Sequence, residues 1–361
     1  MQQPPPVSDF GLIYLHRPES NTICHQGPPY PPHFAMLGGK PDIIPDVPIA
    51  ACLLPFYIVG AALNMTFLQV NLRRGHKFII SGATFGFCMT RITALVMRIV
   101  WSNYPDDIQI GIATNVFTNA GILIFFVINV VLAQRILRAH HPEFGWHKAL
   151  KIPFAFVYFS FFAMLVMLIT SIVWSNFTLD QGLLSRLRVI RLFASTYLAV
   201  LTFLPIPIVL GAVLIPHKKP IDDFGKKGSM RTKVILVIWT SFLLCLGATF
   251  RACVGYTRRP LDNPGWFNSL PAFWCFNFVI EITVLYSYTL SRFDQRFHVP
   301  DGSSAPGHYS QGVPGKETAT SDADAGDLEQ RAGSRQADER RWESQLSHEQ
   351  PQRQFEMTET R

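Results

Sequence analysis

The chain has 361 residues, of which 48% are hydrophobic and 16% charged, and its formal net charge is +7. Its six cysteines are too dispersed for the framework of a small disulfide-stabilised protein. The basic residues fall mainly in short connectors between long apolar runs, so the charge indicates contact with anionic lipid and predicts no nucleic-acid partner.

The N-terminal stretch, residues 1–45, is rich in Pro, Gly and His. It lacks the basic-then-apolar order of a cleavable signal peptide. We expect it to form an extracellular Pro-rich tail that is too short to be a ligand-binding domain. The first apolar run would then act as an uncleaved signal-anchor.

Seven long apolar runs dominate residues 46–298. Each has about 20 residues or more, enough for a helix to cross a hydrocarbon core of roughly 30 Å. Because lipid offers no partner for backbone amides, each run is expected to be helical. The sequence thus predicts an all-α integral membrane protein, a bundle of seven transmembrane helices. The predicted spans are 46–70, 78–101, 111–134, 152–174, 192–215, 234–256 and 270–290.

The distribution of Lys and Arg between the connectors predicts the orientation. The connectors after the first, third and fifth spans are basic, and 216–233 carries the most such residues. By contrast, 102–110 has no Lys or Arg. The N-terminus is therefore expected outside and the C-terminus in the cytoplasm. We expect a secretory-pathway membrane, with the plasma membrane as the default location and membrane lipids as partners.

Residues 299–361 are polar, with many Gly, Ser, Gln, Glu, Asp and Arg and few aromatic residues. This composition predicts a disordered cytoplasmic tail.

Two N-glycosylation sequons occur. Asn176 precedes Phe-Thr in a predicted outer loop and is the candidate glycosylation site. The sequon at Asn64 lies inside the first span, where the transferase does not reach.

Buried charges are the sharpest signal in the sequence. We place Arg91 and Arg98 inside the second span, Arg251 inside the sixth and Glu281 inside the seventh. A charge at mid-membrane costs about 2.5 kcal/mol or more, so it usually finds a partner within the bundle. Counting helical rise from the span boundaries puts Arg91 and Glu281 about 6 Å apart in depth. Arg91–Glu281 is the preferred ion pair, and Arg251–Glu281 is the alternative.

Asparagines add polar groups to the outer half of the bundle. Asn115 and Asn119 lie four residues apart in the third span, and Asn277 lies four residues before Glu281. One interpretation is a hydrated cavity, open to the outside, that binds a small molecule. The other is interhelical hydrogen bonding, which is common for such residues and which we favour for the asparagines.

Catalytic and metal-binding patterns do not stand out. The histidines lack ligand spacing, and no phosphate-binding loop, dinucleotide fingerprint or nucleophile elbow is recognisable. We therefore predict no metal, no cofactor and no catalytic residue.

Several motifs resemble those of a known group of proteins. They are Gly38-Gly39-Lys40-Pro41, Arg73-Arg74-Gly75-His76-Lys77-Phe78, Phe87-Cys88-Met89-Thr90-Arg91-Ile92-Thr93 and Arg98-Ile99-Val100-Trp101. Over residues 36–298 the chain is similar to seven-helix proteins of filamentous fungi that are labelled family C-like G-protein-coupled receptors. The resemblance implies the same fold and, by its label, a receptor-like role, but it transfers no ligand-binding residues.

Three functions compete. The favoured hypothesis is a receptor-like protein that senses a small molecule in the outer cavity and meets a cytosolic signalling protein at 216–233. The alternative is a translocator of lipids or hydrophobic metabolites. The least favoured is a membrane-embedded cyclase with Glu281 as acid, because we count no second carboxylate inside a span.

Overall fold

The computed structural model describes residues 27–31, 34–75, 78–216, 221–222, 224–225, 228–257, 259–261, 263–300, 302–303 and 305–310. Within this part of the chain all regular secondary structure is helical, and seven helices are long and apolar enough to cross a membrane. The predicted all-α, seven-helix membrane architecture is confirmed. The predictions for residues 1–26 and 311–361 fall outside the described residues.

The seven spans match the predicted runs and extend beyond most of them. They are Ile43–Arg73, Ile79–Asn103, Ile108–His140, Lys148–Ser175, Gln181–Leu214, Met230–Tyr256 and Leu270–Leu290. Short helical turns at Pro142–Gly145, Trp266–Asn268 and Phe293–Arg296 lie outside the spans. Consecutive spans pack side by side, and the first and second make the most extensive contact.

Three spans are interrupted along their length, and the first departs from helical backbone at Ile44, close to its start. The fifth breaks just before Pro205, because a proline lacks the amide that would continue the helical hydrogen bonds. The third breaks at Gly121, and the seventh contains one π-helical turn. The segments are Ile108–Ala120 and Leu123–His140 in the third span, Gln181–Phe203 and Pro205–Leu214 in the fifth, and Leu270–Trp274, Cys275–Val279 and Ile280–Leu290 in the seventh.

The start of the fifth span differs from the prediction. The sequence places it at residue 192, but the helix begins at Gln181, where the Asp180 carboxylate accepts a hydrogen bond from the Gly182 amide at 2.9 Å. This is an N-cap, which satisfies a free amide at the start of a helix. Arg186, Arg188 and Arg191 therefore lie on the first three turns of this helix. Arg188 donates to the Tyr256 carbonyl at 3.3 Å.

Aromatic rings fill the middle of the bundle. The rings of Phe87 and Phe125 have centroids 4.1 Å apart, and Tyr57 lies 6.1 Å from Phe87 and 6.5 Å from Phe278. All four side chains are buried. The Tyr57 hydroxyl donates to the Phe278 carbonyl at 3.1 Å, which satisfies its polar end.

Residues 34–42, which we call the outer segment, cross the end of the bundle that the loop charges predict to face outside, which we call the outer end. Ala35 N donates to Arg259 O at 3.1 Å, and Gly38 N donates to Asn268 O at 3.0 Å. Gly38 has a φ of +78°, and a Cβ there would lie 2.6 Å from the Phe273 ring. Only glycine fits both the backbone and the space, so the outer segment packs directly against the seventh span.

The described part of residues 299–310, which we call the inner segment, packs on the opposite end. Tyr309 is buried, and its ring lies 5.6 Å from the rings of both Trp146 and Phe224. The Asp222 carboxylate accepts hydrogen bonds from the amides of Gly307 at 3.0 Å and Ser310 at 2.8 Å. The start of the predicted disordered tail is therefore part of the folded bundle.

An odd number of spans places the two termini on opposite sides of the membrane. In microsomes, whose outer surface is cytosolic, added protease is expected to remove a tag fused after Arg361 and to spare one fused before Met1. Immunoblotting of the two tags measures this. Digestion of both tags in intact microsomes would contradict the predicted orientation.

Candidate functional site

The predicted pair between Arg91 and Glu281 forms at the centre of the site. Both side chains are fully buried, and Arg91 Nη2 donates to Glu281 Oε1 at 2.8 Å. Arg91 Nε also contacts Glu281 Oε2, so the carboxylate is held by two contacts. One charge-assisted hydrogen bond and one close contact thus join the pair, and charge-assisted hydrogen bonds are among the stronger polar interactions available to a protein.

The third span supplies the other partners of Arg91. Its Nη1 donates to Thr118 O at 2.8 Å and to Phe117 O at 3.3 Å, immediately before the break at Gly121. An interrupted helix leaves carbonyls that other donors can use. A Cβ on Gly121 would lie 2.5 Å from Thr90 Oγ1 and 3.3 Å from Arg91 Cζ, so a glycine makes room for the guanidinium.

Arg251 of the sixth span approaches the same carboxylate more loosely. Its Nη1 lies 3.8 Å from Glu281 Oε1 and donates to Asn277 Oδ1 at 3.0 Å. Its Nη2 is buried and has no hydrogen-bond partner among the described residues. Asn277 lies in the π-helical turn and donates to Phe273 O at 3.0 Å. We call Arg91, Arg251, Asn277 and Glu281 the charge cluster.

The charge cluster carries more positive than negative charge. It combines two guanidinium groups with one carboxylate, a formal surplus of one positive charge. Arg91 is fully buried, whereas 15% of the Arg251 side chain is exposed. The surplus positive charge therefore falls on Arg251, whose contact with the carboxylate is the longer one.

Arg98 lies apart from the charge cluster, at the outer end of the second span. Its Nε donates to Asp46 Oδ1 at 3.1 Å, and its Nη2 donates to Gly38 O of the outer segment at 2.8 Å. The guanidinium also lies 4.5 Å from the centre of the Phe273 ring. It ties the outer segment to the second and seventh spans.

The partner of Arg98 corrects the sequence interpretation. The sequence analysis predicts Glu281 as the only carboxylate inside a span, but Asp46 lies in the first span and is buried. Asp46 is the first residue of the predicted run, where a boundary residue is normally exposed. The sequence could have indicated this pair, because Asp46 and Arg98 both lie near the predicted outer boundary of their spans.

Asn115 and Asn119 do not bond to the charge cluster in the described structure. Asn115 Nδ2 donates to Gly111 O at 3.1 Å, and Asn119 Nδ2 donates to Asn115 O at 2.8 Å. These bonds lie within one helix, whereas the sequence analysis favoured bonds between helices. Asn115 Nδ2 also lies 3.9 Å from the sulfur of Met36, which places it beneath the outer segment.

A second polar layer, which the sequence analysis missed, joins the third, sixth and seventh spans nearer the inner end. Asn129 Nδ2 donates to Ser241 Oγ at 2.9 Å, and the Tyr288 hydroxyl donates to Asn129 Oδ1. Thr240 Oγ1 lies 2.7 Å from the Tyr288 hydroxyl. We call Asn129, Thr240, Ser241 and Tyr288 the inner polar layer. Its only sequence signal is that Tyr288 lies seven residues after Glu281, on the same helix face.

The two sequon asparagines have different surroundings. Asn64 is fully buried and donates to Gly60 O at 2.9 Å and Thr289 Oγ1 at 3.0 Å, so it joins the first and seventh spans. Asn176 follows directly after the fourth span, and its Nδ2 donates to Ile172 O at 2.8 Å. Glycosylation of Asn176 stays a prediction.

Comparison with known proteins adds one partial match. A family described as "Protein of unknown function (DUF3112)" matches residues 226–298. The matched stretch contains the sixth and seventh spans and therefore Arg251, Asn277 and Glu281, but not Arg91. No curated protein and no solved structure matches the chain. Within the described residues no group of three or more His, Cys, Asp or Glu side chains has the arrangement of a metal site.

Removal of either partner of the buried pair is expected to destabilise the protein. Arg91→Gln or Glu281→Gln leaves an uncompensated buried charge and should cost about 3–5 kcal/mol in the free energy of unfolding. Unfolding of the purified protein in detergent measures this. Arg251→Gln is the matched control and should cost less, since its contact with Glu281 is longer. Equal losses for Arg91→Gln and Arg251→Gln would contradict this account.

The space at Gly121 gives a second test. Gly121→Ala should push Thr90 and Arg91 away from the third span and lower the thermal unfolding temperature. Gly86→Ala is the control, because a Cβ at Gly86 meets nothing within 4 Å. Alanine should stabilise that helical site by up to about 1 kcal/mol. Thermal melts of both variants decide the matter, and a stabilised Gly121→Ala protein would refute the proposed close approach.

Proposed function

We propose that this chain is a receptor-like sensor of a small anionic molecule and that the charge cluster is the element that changes state. The observation that carries the proposal is that two arginines share one carboxylate oxygen. Glu281 Oε1 lies 2.8 Å from Arg91 Nη2 and 3.8 Å from Arg251 Nη1. A ligand that alters the position of Arg251 would change how Glu281 is shared between the two arginines. A ligand that binds one of two such arrangements more tightly shifts the equilibrium towards it.

The surplus positive charge supports an anionic ligand. Arg251 is partly exposed, and its Nη2 is a buried donor with no partner among the described residues. A carboxylate or similar group at Nη2 would neutralise the surplus and satisfy the donor.

Two irregular helices beside the cluster support a conformational role. The break at Gly121 lies next to the carbonyls that bind Arg91, and the π-helical turn contains Asn277. Single π turns occur frequently at functional sites, and helix interruptions permit bending. The third and seventh spans can therefore bend at the depth where the ligand would act.

Contacts extend from the cluster towards both ends of the bundle. Arg98, seven residues after Arg91 on the same helix face, bonds to Gly38 of the outer segment. Tyr288, seven residues after Glu281, belongs to the inner polar layer. Such contiguity is compatible with transmission, whereas coupling itself has to be measured. The resemblance to fungal proteins labelled family C-like receptors points to the same role.

The proposed cytosolic partner would bind at 216–233. Within this loop, Lys226 and Lys227 lie outside the described residues. Lys233 is buried and contacts the Phe224 carbonyl, so this end of the loop is held against the bundle. The remaining basic residues would supply the charge that a signalling protein recognises.

One observation favours the translocator as a second candidate. An apolar groove of about 390 Å³ lies between the fifth and sixth spans, lined by Val200, Phe203, Cys245 and Tyr256 among others. A hydrophobic metabolite or lipid chain would fit its chemistry. The outer and inner segments, however, pack against the two ends of the bundle. This packing favours the sensor hypothesis over the translocator.

The cyclase hypothesis receives the least support. Both oxygens of Glu281 already contact Arg91, and the residue is fully buried. A substrate would have to break that pair before it met the acid. The second carboxylate, Asp46, is itself paired with Arg98 at the outer end.

Hydrogen exchange on the protein in nanodiscs tests the proposed function. A library of small carboxylates should include compounds that alter amide exchange at 117–124 and 275–279. Arg251→Gln should weaken that response about tenfold or more, since it removes a charge-assisted hydrogen bond. Arg259→Gln, at an exposed position on the outer side, is the matched control and should respond like the parent protein.

The outcomes separate the candidates. Binding without a change in exchange in either region would refute the sensor mechanism. Altered efflux of hydrophobic compounds on gene deletion, with no carboxylate response, would favour the translocator.

A further inference from the structure

A cavity of about 250 Å³ lies at the inner end of the bundle, on the opposite side from the outer segment. It lies between the inner end of the third span and the inner segment and is partly open. The residues that matter for its chemistry are Gln134, Arg135, Arg138, Trp146, Ser303 and Tyr309. Neither the charge cluster nor the proposed sensing mechanism uses this cavity.

Two guanidinium groups give the cavity a positive character. Arg135 and Arg138 are three residues apart and so lie on one helix face. Arg135 Nη1 donates to Phe297 O at 2.5 Å, and Arg138 Nε lies 3.4 Å from Gly145 O. A guanidinium has five N–H donors, so each retains capacity for further hydrogen bonds.

Carboxylates do not neutralise these two arginines in the described structure. Among the described residues, Arg91, Arg98, Arg251 and Arg292 form ion pairs, whereas Arg135 and Arg138 do not. The described lining residues of the cavity contain no Asp or Glu. The carboxylate of Asp222, on the neighbouring loop, instead accepts hydrogen bonds from the backbone amides of Gly307 and Ser310. Two positive charges thus face one polar cavity.

Two residues that line the cavity, Trp146 and Tyr309, also carry neutral donors. Trp146 Nε1 is buried and has no hydrogen-bond partner among the described residues, although its ring stacks 4.4 Å from the Arg138 guanidinium. An orphaned buried donor is costly and therefore points to an absent acceptor. Burial raises the pKa of Tyr309, so its hydroxyl keeps its proton at neutral pH and can also donate.

We propose that this cavity binds a phosphomonoester anion, carried either by a phosphorylated lipid headgroup or by a free phosphate compound. A doubly charged phosphate matches two guanidinium groups and accepts several hydrogen bonds, whereas one carboxylate would leave donors unused. The cavity lies at the end of the bundle that the loop charges predict to face the anionic cytoplasmic leaflet. A bound phosphate would bridge the third span and the inner segment and hold that segment in place.

Binding measurements on the full-length protein in nanodiscs test the proposal. Glycerol 3-phosphate and inorganic phosphate, added to discs of phosphatidylcholine, probe the free anion. Phosphatidylinositol 4-phosphate built into the discs probes the lipid headgroup, with binding read by native mass spectrometry. We expect saturable binding in at least one arm, and the arm that responds identifies the source.

Three variants separate the cavity from general surface charge. The double variant Arg135→Gln/Arg138→Gln should weaken binding at least tenfold. Trp146→Phe keeps a ring over Arg138 but removes the orphaned donor, and it should weaken binding roughly fivefold. Lys148→Gln/Lys151→Gln removes the same charge from exposed positions at the same end of the bundle, and it should bind like the parent protein.

The overturning results are specific. Lack of binding in both arms would refute the site, as would equal binding by the parent protein and Trp146→Phe. Equal weakening by the arginine and lysine double variants would mean that the anion is attracted by surface charge alone. A thermal melt of each variant shows whether it is folded, and Trp146→Phe keeps the proposal testable if the arginine variant does not fold.

Discussion

An arginine in the interior of a membrane protein has to be neutralised and hydrogen-bonded there, and this requirement organises the outer half of the bundle. Arg91 meets it with the carboxylate of Glu281 and with carbonyls of the third span. Both partners lie next to departures from regular helix, the break at Gly121 and the π-helical turn. Three spans are therefore positioned by one side chain, because a shift of any one of them would leave a buried charge or donor without a partner.

Relative magnitudes indicate which contacts matter most. Hydrogen bonds between neutral side chains in membrane bundles average roughly 0.6 kcal/mol, so the inner polar layer orients helices more than it stabilises them. Breaking a buried ion pair costs several times more. The link between Arg98 and Asp46 lies between these extremes, since it is close to the outer boundary but buried. The bundle is thus most constrained at the charge cluster and less so towards its inner end.

The seven spans and the depths of Arg91 and Glu281 could be predicted from hydropathy, helical rise and side-chain periodicity, because each of these depends on residues within a single helix. The similar depths of the two charges then predicted their pairing. These patterns did not identify Asp46 as a partner, since its burial depends on how the outer segment folds over it. They also placed the start of the fifth span at residue 192, because an apolar run ends where polar residues begin even when the helix continues. The break at Gly121, the π-helical turn and the docking of Tyr309 arise from packing between distant parts of the chain. Local pattern carries little information about such contacts.

The π-helical turn at Cys275–Val279 gives the seventh span one residue more than its winding requires. The Ile280 amide bonds to Cys275 O, five residues back, so this turn holds one residue more than an α-helical turn would. The turn absorbs the extra residue, so the helix on either side keeps its orientation. Deletion of a single codon here would let the turn close as regular α-helix and would leave Phe273 facing Gly38 and Arg98. A deletion in the regular helix on either side would instead rotate its two parts against each other by about 100°. Single-codon deletions should therefore be better tolerated in this short window than elsewhere in the seventh span.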